Sequence, residues 1–314
     1  MVWTGVLFLV VLTEKADMDT KALLNSLEKE IRNNENSLQQ DQQLLRLQSI
    51  AAQYEGDDRV ISTTELLEEI KNTPIKEKFF SGFKDLDIKM EGFVTGENIF
   101  LTGITKHGKT SFCMELSVRF REQNPLWLSF EERAIDLLRK FHSKTGEYPL
   151  FFTPRKNERP NLEWIETKIV EAKAKFDSKV VFIDHIGFLS DAERGKDDTE
   201  ASRLERISRT IHSLAVKWDV LIFLMGHLTK VRSDQNPDIE NIKGSSAMAQ
   251  ESDLTMLIWR KTHREGEKVI IENVTNLSLQ ANRRGQTGNI EFIYRGGHFL
   301  EETWDLPANE ESWQ

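Results

Sequence analysis

The run Gly103-Ile104-Thr105-Lys106-His107-Gly108-Lys109-Thr110 constrains the fold more than any other stretch of this chain. It fits G-x-x-x-x-G-K-[ST], follows a strand candidate at Asn98–Gly103 and opens a helix candidate at Lys109–Gln123. The glycines let the backbone curl so that successive N–H groups face an anion, and the helix N-terminus adds positive potential. In that chemistry Lys109 reaches the β- and γ-phosphates of a nucleotide, while the Thr110 hydroxyl meets Mg²⁺. The candidate nucleotide-binding segment therefore runs from Gly103 through Thr110 to Ser111, and the expected ligands are ATP and Mg²⁺.

A phosphate loop of this kind needs a carboxylate on a neighbouring strand. Val180-Val181-Phe182-Ile183-Asp184 supplies four apolar residues and then an acid at the strand's C-terminal end, where ligands bind in open α/β sheets. Asp184 is expected to hold the water shell of Mg²⁺, with Thr110 as its companion. Hydrolysis also needs a group to activate water. Leu126-Trp127-Leu128-Ser129-Phe130 runs into Glu131-Glu132. Glu131, directly after the apolar strand, is the candidate general base, with Glu132 in reserve.

Around these motifs, short apolar runs alternate with amphipathic helices, the pattern of a parallel sheet covered on both faces. Strands are expected at Asn98–Gly103, Leu126–Phe130, Leu150–Thr153, Lys179–Asp184, Val220–Gly226 and Leu254–Arg260. Helices are expected at Lys109–Gln123, Arg133–Thr145, Leu162–Phe176 and Thr199–Lys217. After Arg260 the helices stop. Val269–Ile271, Leu277–Asn282, Asn289–Tyr294 and His298–Glu301 read as an antiparallel extension with turns at Arg284-Gly285 and Gly296-Gly297. The fold class is α/β: a mainly parallel central sheet with a C-terminal antiparallel extension, preceded by a small helical segment.

Composition narrows the partners. Against 42 Lys+Arg stand 51 Asp+Glu, a net charge of −9, so any contact with nucleic acid is confined to a few loops. A single cysteine, Cys113, excludes an internal disulfide framework and a cysteine-based zinc site and suits a cytoplasmic address. Cys113, Trp127, Trp218 and Trp259 read as core or interface residues. The apolar run Val2 to Leu12 is well short of the ~20 residues that span a bilayer. It has no basic leader before it, so a buried strand, a docking segment or a misplaced start codon accounts for it, and no membrane partner is expected.

Upstream of the main domain, Leu24, Ile31, Leu38, Leu45 and Ala52 fall seven residues apart, while the companion seam is polar. One good seam predicts helix that packs on its own domain or self-associates. Ser62-Thr63-Thr64-Glu65 matches a capping box for a short helix ahead of Pro74. The domain reading is residues 1–56 as a helical or self-association segment, 57–78 as a linker helix, 79–306 as the nucleotide-binding domain and 307–314 as a tail.

Taken in order, Ser81-Gly82-Phe83-Lys84-Asp85-Leu86-Asp87, the phosphate loop, Ser129-Phe130-Glu131 and Phe182-Ile183-Asp184 resemble the RecA-type ATPase domain of DnaB-family replicative helicases. The resemblance covers about residues 60 to 303. It implies a homo-oligomer, a hexameric ring, that hydrolyses ATP between subunits while moving on single-stranded DNA during replication, with a loader or a primase as further partners. It also implies roles. His227, in Met225-Gly226-His227-Leu228, stands at the sensor strand end where the family usually has Gln. Lys243-Gly244-Ser245-Ser246 lies in the loop that resembles the single-strand contact. Arg283, in Asn282-Arg283-Arg284-Gly285, resembles the arginine finger that serves the neighbouring subunit. The helix after Ser62 resembles the family's linker helix. Ala281 departs from the pattern, which often has Lys there, and Arg284 is the candidate substitute. Residues 1–56 are too short to be the family's globular N-terminal domain. Glu131-Glu132 also resembles KaiC-like ATPases, which keeps open an assembling ATPase of recombination, loading or regulation.

Overall fold

In the computed structural model, which describes residues 18–53, 56, 59–73, 76–156, 161–193, 199–227, 237, 251–266 and 268–301, the apolar runs become strands whose alternate residues feed two different cores. Strand β1 is Asn98–Gly103, β2 Leu126–Ser129, β3 Val180–Asp184 and β4 Leu221–Met225, and every residue of the four is buried. Val180 and Phe182 of β3 point into one core, with Phe112, Phe120 and Phe141. Val181 and Ile183 point into the other, with Ile165, Ile169, Ile207 and Ile211. Period-two side-chain alternation turns one continuous apolar run into two half-cores, so both faces need helices over them.

Those helices follow the sequence. Lys109–Arg119 and Ala134–Thr145 cover the first face, while Leu162–Phe176 and Glu200–Trp218 cover the second. We label them α4, α5, α6 and α8. Short helices α3 (Lys84–Met90) and α7 (Ile186–Ala192) precede β1 and follow β3. Strand β5 is Leu254–Glu265, β6 Lys268–Asn282, β7 Gly288–Arg295 and β8 His298–Glu301. The described strands form one sheet in the order β2-β3-β4-β1-β5-β6-β7-β8. Pairing is parallel from β2 across to β5 and antiparallel from β5 to β8.

Three departures from the sequence reading have plain causes. Leu150–Thr153 is not a strand; Phe152 makes a single bridge to Leu126, because Pro154 has no N–H to continue a ladder. Helix α4 stops at Arg119, and a 3₁₀ turn at Arg121–Gln123 leads to Asn124 in the left-handed region. The two strands expected at 269–271 and 277–282 are one strand, β6. Its polar middle stays extended because it pairs with β5, whose outer half runs to Glu265 and is largely exposed. Cys113 and Trp127 are buried as expected.

The chain divides into two compact units, Met1–Pro74 and Ile75–Gln314. The first holds α1 (Met18–Ala52) and α2 (Thr63–Asn72). Ser62 caps α2, its hydroxyl accepting from the Glu65 N–H at 3.1 Å. On α1, Leu27, Leu44, Leu45 and Leu47 are exposed. No described helix is long and apolar enough to cross a membrane. Val2–Leu12, the tail from Pro307 and the segment Lys243–Ser246 lie outside the described residues.

Candidate active site

The phosphate loop joins β1 to α4 at the C-terminal ends of the parallel strands. Two positions need glycine. A Cβ on Gly103 would come 2.0 Å from the Ile258 carbonyl oxygen, so a side chain there would part β1 from β5. Gly108, at φ +103°, precedes the first turn of α4 in a conformation that side chains disfavour. His107 braces the loop from behind, its Nδ1 accepting the Arg260 N–H of β5 at 3.1 Å.

Lys109 is buried, and its Nζ donates to the carbonyls of Gly103 at 2.8 Å and Ile104 at 3.1 Å. Burial pulls its pKa down to about 8, with Asp184 and Glu131 opposing. The Thr110 hydroxyl donates to Asp184 Oδ2 at 3.2 Å. Asp184 is also buried; desolvation, and then the nearby Glu131 charge, push its pKa up to about 6. A buried carboxylate that shares its surroundings with a second carboxylate charge and a hydroxyl oxygen favours a bound cation. The donor set of Thr110 and Asp184 therefore fits Mg²⁺.

The two acids after β2 part company. Glu132 forms an ion pair with Lys140 of α5. Glu131 faces the cavity, its Oε1 3.0 Å from His185 Nε2 and 3.7 Å from His227 Nε2. The two imidazoles meet edge to face, centroids 4.2 Å apart. Burial lowers the pKa of both, His227 to about 4. One ligand atom each from Glu131, His185 and His227 lies within 4.8 Å of the others, close enough for a transition-metal ion. The tautomer argues against that use. His185 Nδ1 accepts the Gly187 N–H at 2.8 Å, so the ring hydrogen sits on Nε2, and that nitrogen is a donor to Glu131 rather than a metal ligand.

The far wall of this cavity, about 400 Å³, comes from the antiparallel strands, through Arg260, Tyr294 and Phe299. Tyr294 is held in place: Lys144 Nζ donates to its hydroxyl at 3.0 Å, Phe299 packs at 4.9 Å, and the Arg260 guanidinium lies 5.4 Å from its ring centre. No sequence reading singled out His185, Lys140, Arg260 or Tyr294. His185 could have been found, since it follows Asp184 at the same strand end. Arg260 and Tyr294 carry no local signal.

The structure thus brings together Lys109, Thr110, Glu131, Asp184 and His227. It does not bring Arg283 to them. Arg283 follows β6; its N–H donates to the Asp253 carbonyl at 2.9 Å, and the Asp253 N–H donates to the carbonyl of Asn98. Asn98 begins β1 and the phosphate loop ends it. The two sites are separated along that strand by about 17 Å, beyond the reach of one side chain. Arg284 turns inward, donating to the Gly92 carbonyl at 2.9 Å and pairing with Glu97.

The chain has relatives among known proteins. The chain is 22% identical over 271 residues to a probable replicative DNA helicase of Trieres chinensis, covering 74% of this chain and 59% of that protein. It is 20% identical to the replicative DNA helicase DnaB of Rickettsia bellii, covering 68% and 55%. The chain thus spans little more than half the length of these curated relatives. Two solved structures share the fold. One, an ATPase domain, superposes with a TM-score of 0.60 at 16% identity, covering 76% of this chain and 96% of that one. The other, a DnaB-like replicative helicase solved in a study of its interactions with primase, superposes at 0.63 and 19% identity, covering 90% and 76%. The model of the DnaB-like helicase C terminal domain matches residues 128–300, more than half of the chain. With a phosphate loop, a strand-end aspartate and a facing glutamate set on this sheet, the chain belongs to the family of DnaB-like helicase C-terminal ATPase domains.

Proposed function

We propose that this chain is an ATP-driven DNA helicase motor that hydrolyses ATP between the subunits of a ring and moves along single-stranded DNA in replication. The observation that carries this reading is the split of the machinery. Lys109, Thr110 and Glu131 line one cavity, with Asp184 bonded to Thr110 behind it, while Arg283 stands at the other end of β1. An arginine so placed serves a phosphate only if the phosphate belongs to another subunit.

In this mechanism the loop amides and Lys109 hold the β- and γ-phosphates. Mg²⁺, when bound at Thr110 and Asp184, offsets phosphate charge. Glu131 takes a proton from water as the water oxygen attacks the γ-phosphorus and the bond to ADP breaks, giving ADP and phosphate. His227, beside Glu131 after β4, is the proposed sensor of that change, and Lys243–Ser246 is the proposed single-strand contact. Arg260 and Tyr294 are suited to flank the nucleotide base. A cytoplasmic setting and a loader or primase partner belong to the same reading.

The test is ATP hydrolysis with and without single-stranded DNA, run beside displacement of one strand from a forked duplex. DNA-stimulated hydrolysis with displacement is expected. Stimulation without displacement would move the assignment to an assembling ATPase, and indifference to DNA would remove the motor reading altogether.

A further inference from the structure

His185 is the group at this site with a defined geometry and no role in the mechanism above. It sits between Asp184 and the first turn of α7, mostly buried, with its ring packed 5.0 Å from Phe188 and edge-on to His227. Both nitrogens are committed. Nδ1 accepts the Gly187 N–H at 2.8 Å, so it carries no hydrogen, and Nε2 carries one toward Glu131 Oε1 at 3.0 Å. The backbone thereby fixes the tautomer, and the tautomer fixes the direction of the hydrogen bond. Glu131 itself is exposed and stands just beyond a strand end, where a glutamate side chain samples several rotamers.

Gly187 supplies an independent observation. A Cβ there would lie 2.4 Å from His185 Cε1 and 2.7 Å from Nδ1. The clash is with the imidazole rather than with backbone, and Gly187 has no positive φ that would demand glycine. A glycine at 187 therefore makes room for the ring in the pose that reaches Glu131.

We propose that His185 is the positioning residue of the catalytic glutamate: a ring locked by the Gly187 amide donates to one oxygen of Glu131 and holds its carboxylate in the pose that takes the proton from water. His185 neither accepts that proton nor touches the nucleotide. Its contribution is orientation, and a displacement of about 1 Å at a reacting group is worth up to about a hundredfold in rate. The inference rests on Glu131 being the base, and the experiment keeps the two questions apart.

The full chain is assayed for DNA-stimulated ATP hydrolysis, with binding of a fluorescent ATP analogue measured in parallel. His185→Phe keeps a ring and loses the donor; kcat is expected to fall about ten- to a hundredfold while KM and analogue affinity stay within about twofold. His185→Gln, whose amide reaches about as far as Nε2, is expected to recover most of that loss. Gly187→Ala is expected to lower kcat much as His185→Phe does, because it displaces an intact imidazole. In a His185→Ala background, where no ring is left to displace, adding Gly187→Ala is expected to change nothing. Equal loss in His185→Phe and His185→Gln would reduce His185 to packing and overturn the proposal. So would a raised KM with kcat retained. If Glu131→Gln is inactive and His185→Phe is normal, this inference alone fails; if Glu131→Gln is active, the reading of the base fails first.

Discussion

Strands β1 to β4 and strands β6 to β8 belong to one sheet but place chemistry on it differently. The parallel strands are buried along their whole length, and their reactive groups stand just past the C-terminal ends: Lys109 and Thr110 after β1, Glu131 after β2, Asp184 closing β3, His227 after β4. In β7 the cavity-lining Tyr294 lies on the core face, in line with buried Ile290 and Phe292, and is the partly exposed last member of that row. A strand covered on both faces has only its ends to offer water and ligand. A strand whose covered face outruns the core can offer the last residue of that face. In the proposed mechanism the phosphates and the chemical step fall to the parallel half, and the nucleotide base falls to Arg260 and Tyr294 of β5 and β7.

Arg283 is the exception that would break this division, and it has the largest expected effect. It follows an antiparallel strand, yet Arg283→Ala is expected to lower kcat by roughly 10³–10⁵, the size of arginine-finger effects. Mixed with Glu131→Gln subunits before nucleotide is added, it is expected to regain part of the activity, because some interfaces then pair a sound pocket with a sound finger. Absence of recovery in rings shown to be mixed would return the arginine to a structural role.

Glu131→Gln sharpens the comparison from the parallel side. A loss of about 10²–10⁴ in kcat with nucleotide affinity kept is the expected result. Glu132→Gln, which only releases Lys140, is expected to stay within a few-fold. The reverse order in steady-state kinetics would exchange the two acids.

Tyr294→Ala probes the antiparallel wall. If the ring stacks on the base, nucleotide affinity is expected to weaken by about tenfold or more, from the roughly 1–3 kcal/mol of an aromatic–base stack. The kcat at saturation is expected to hold. A selective fall in kcat, read from full saturation curves, would count against the division.

The smallest effect is a pH dependence. Burial holds the Lys109 ammonium at a pKa of about 8, and a bound phosphate favours its charged form. Below pH 8 the charge is in place. Above it the protein must take up a proton to bind, so affinity is expected to fall as pH rises, by roughly tenfold between pH 7 and pH 9. Calorimetry in two buffers of different ionisation enthalpy would register that proton; no uptake at pH 9 would show that Lys109 stays charged throughout.

The phosphate loop and the strand-end acids could be read from the chain because each is local. Gly103 to Thr110 is one turn of backbone whose residues must be neighbours in sequence to cradle a phosphate. Asp184 ends an apolar run whose period and length already set its depth in a sheet. The same locality let the helices be placed to within a few residues, Leu162–Phe176 at both ends. Leu150–Thr153 shows the limit. Its composition suits a strand, but a strand exists only where a partner offers a ladder, and Pro154 ends the one bridge it makes.

What tertiary structure alone decided are relations between distant residues. Sequence position ranked Glu131 ahead of Glu132 but gave neither a partner; Lys140, in the second turn of α5, takes Glu132 and leaves Glu131 to His185 and His227. Arg260 and Tyr294 meet because β5 and β7 flank β6, an order that hydrogen bonding sets and spacing does not. The separation of Arg283 from its own phosphate loop is the length of β1. A sequence specifies which groups a strand end carries through local periodicity and backbone sterics. Which groups then face one another depends on strand order and helix packing, where the energy comes from burying two cores at once.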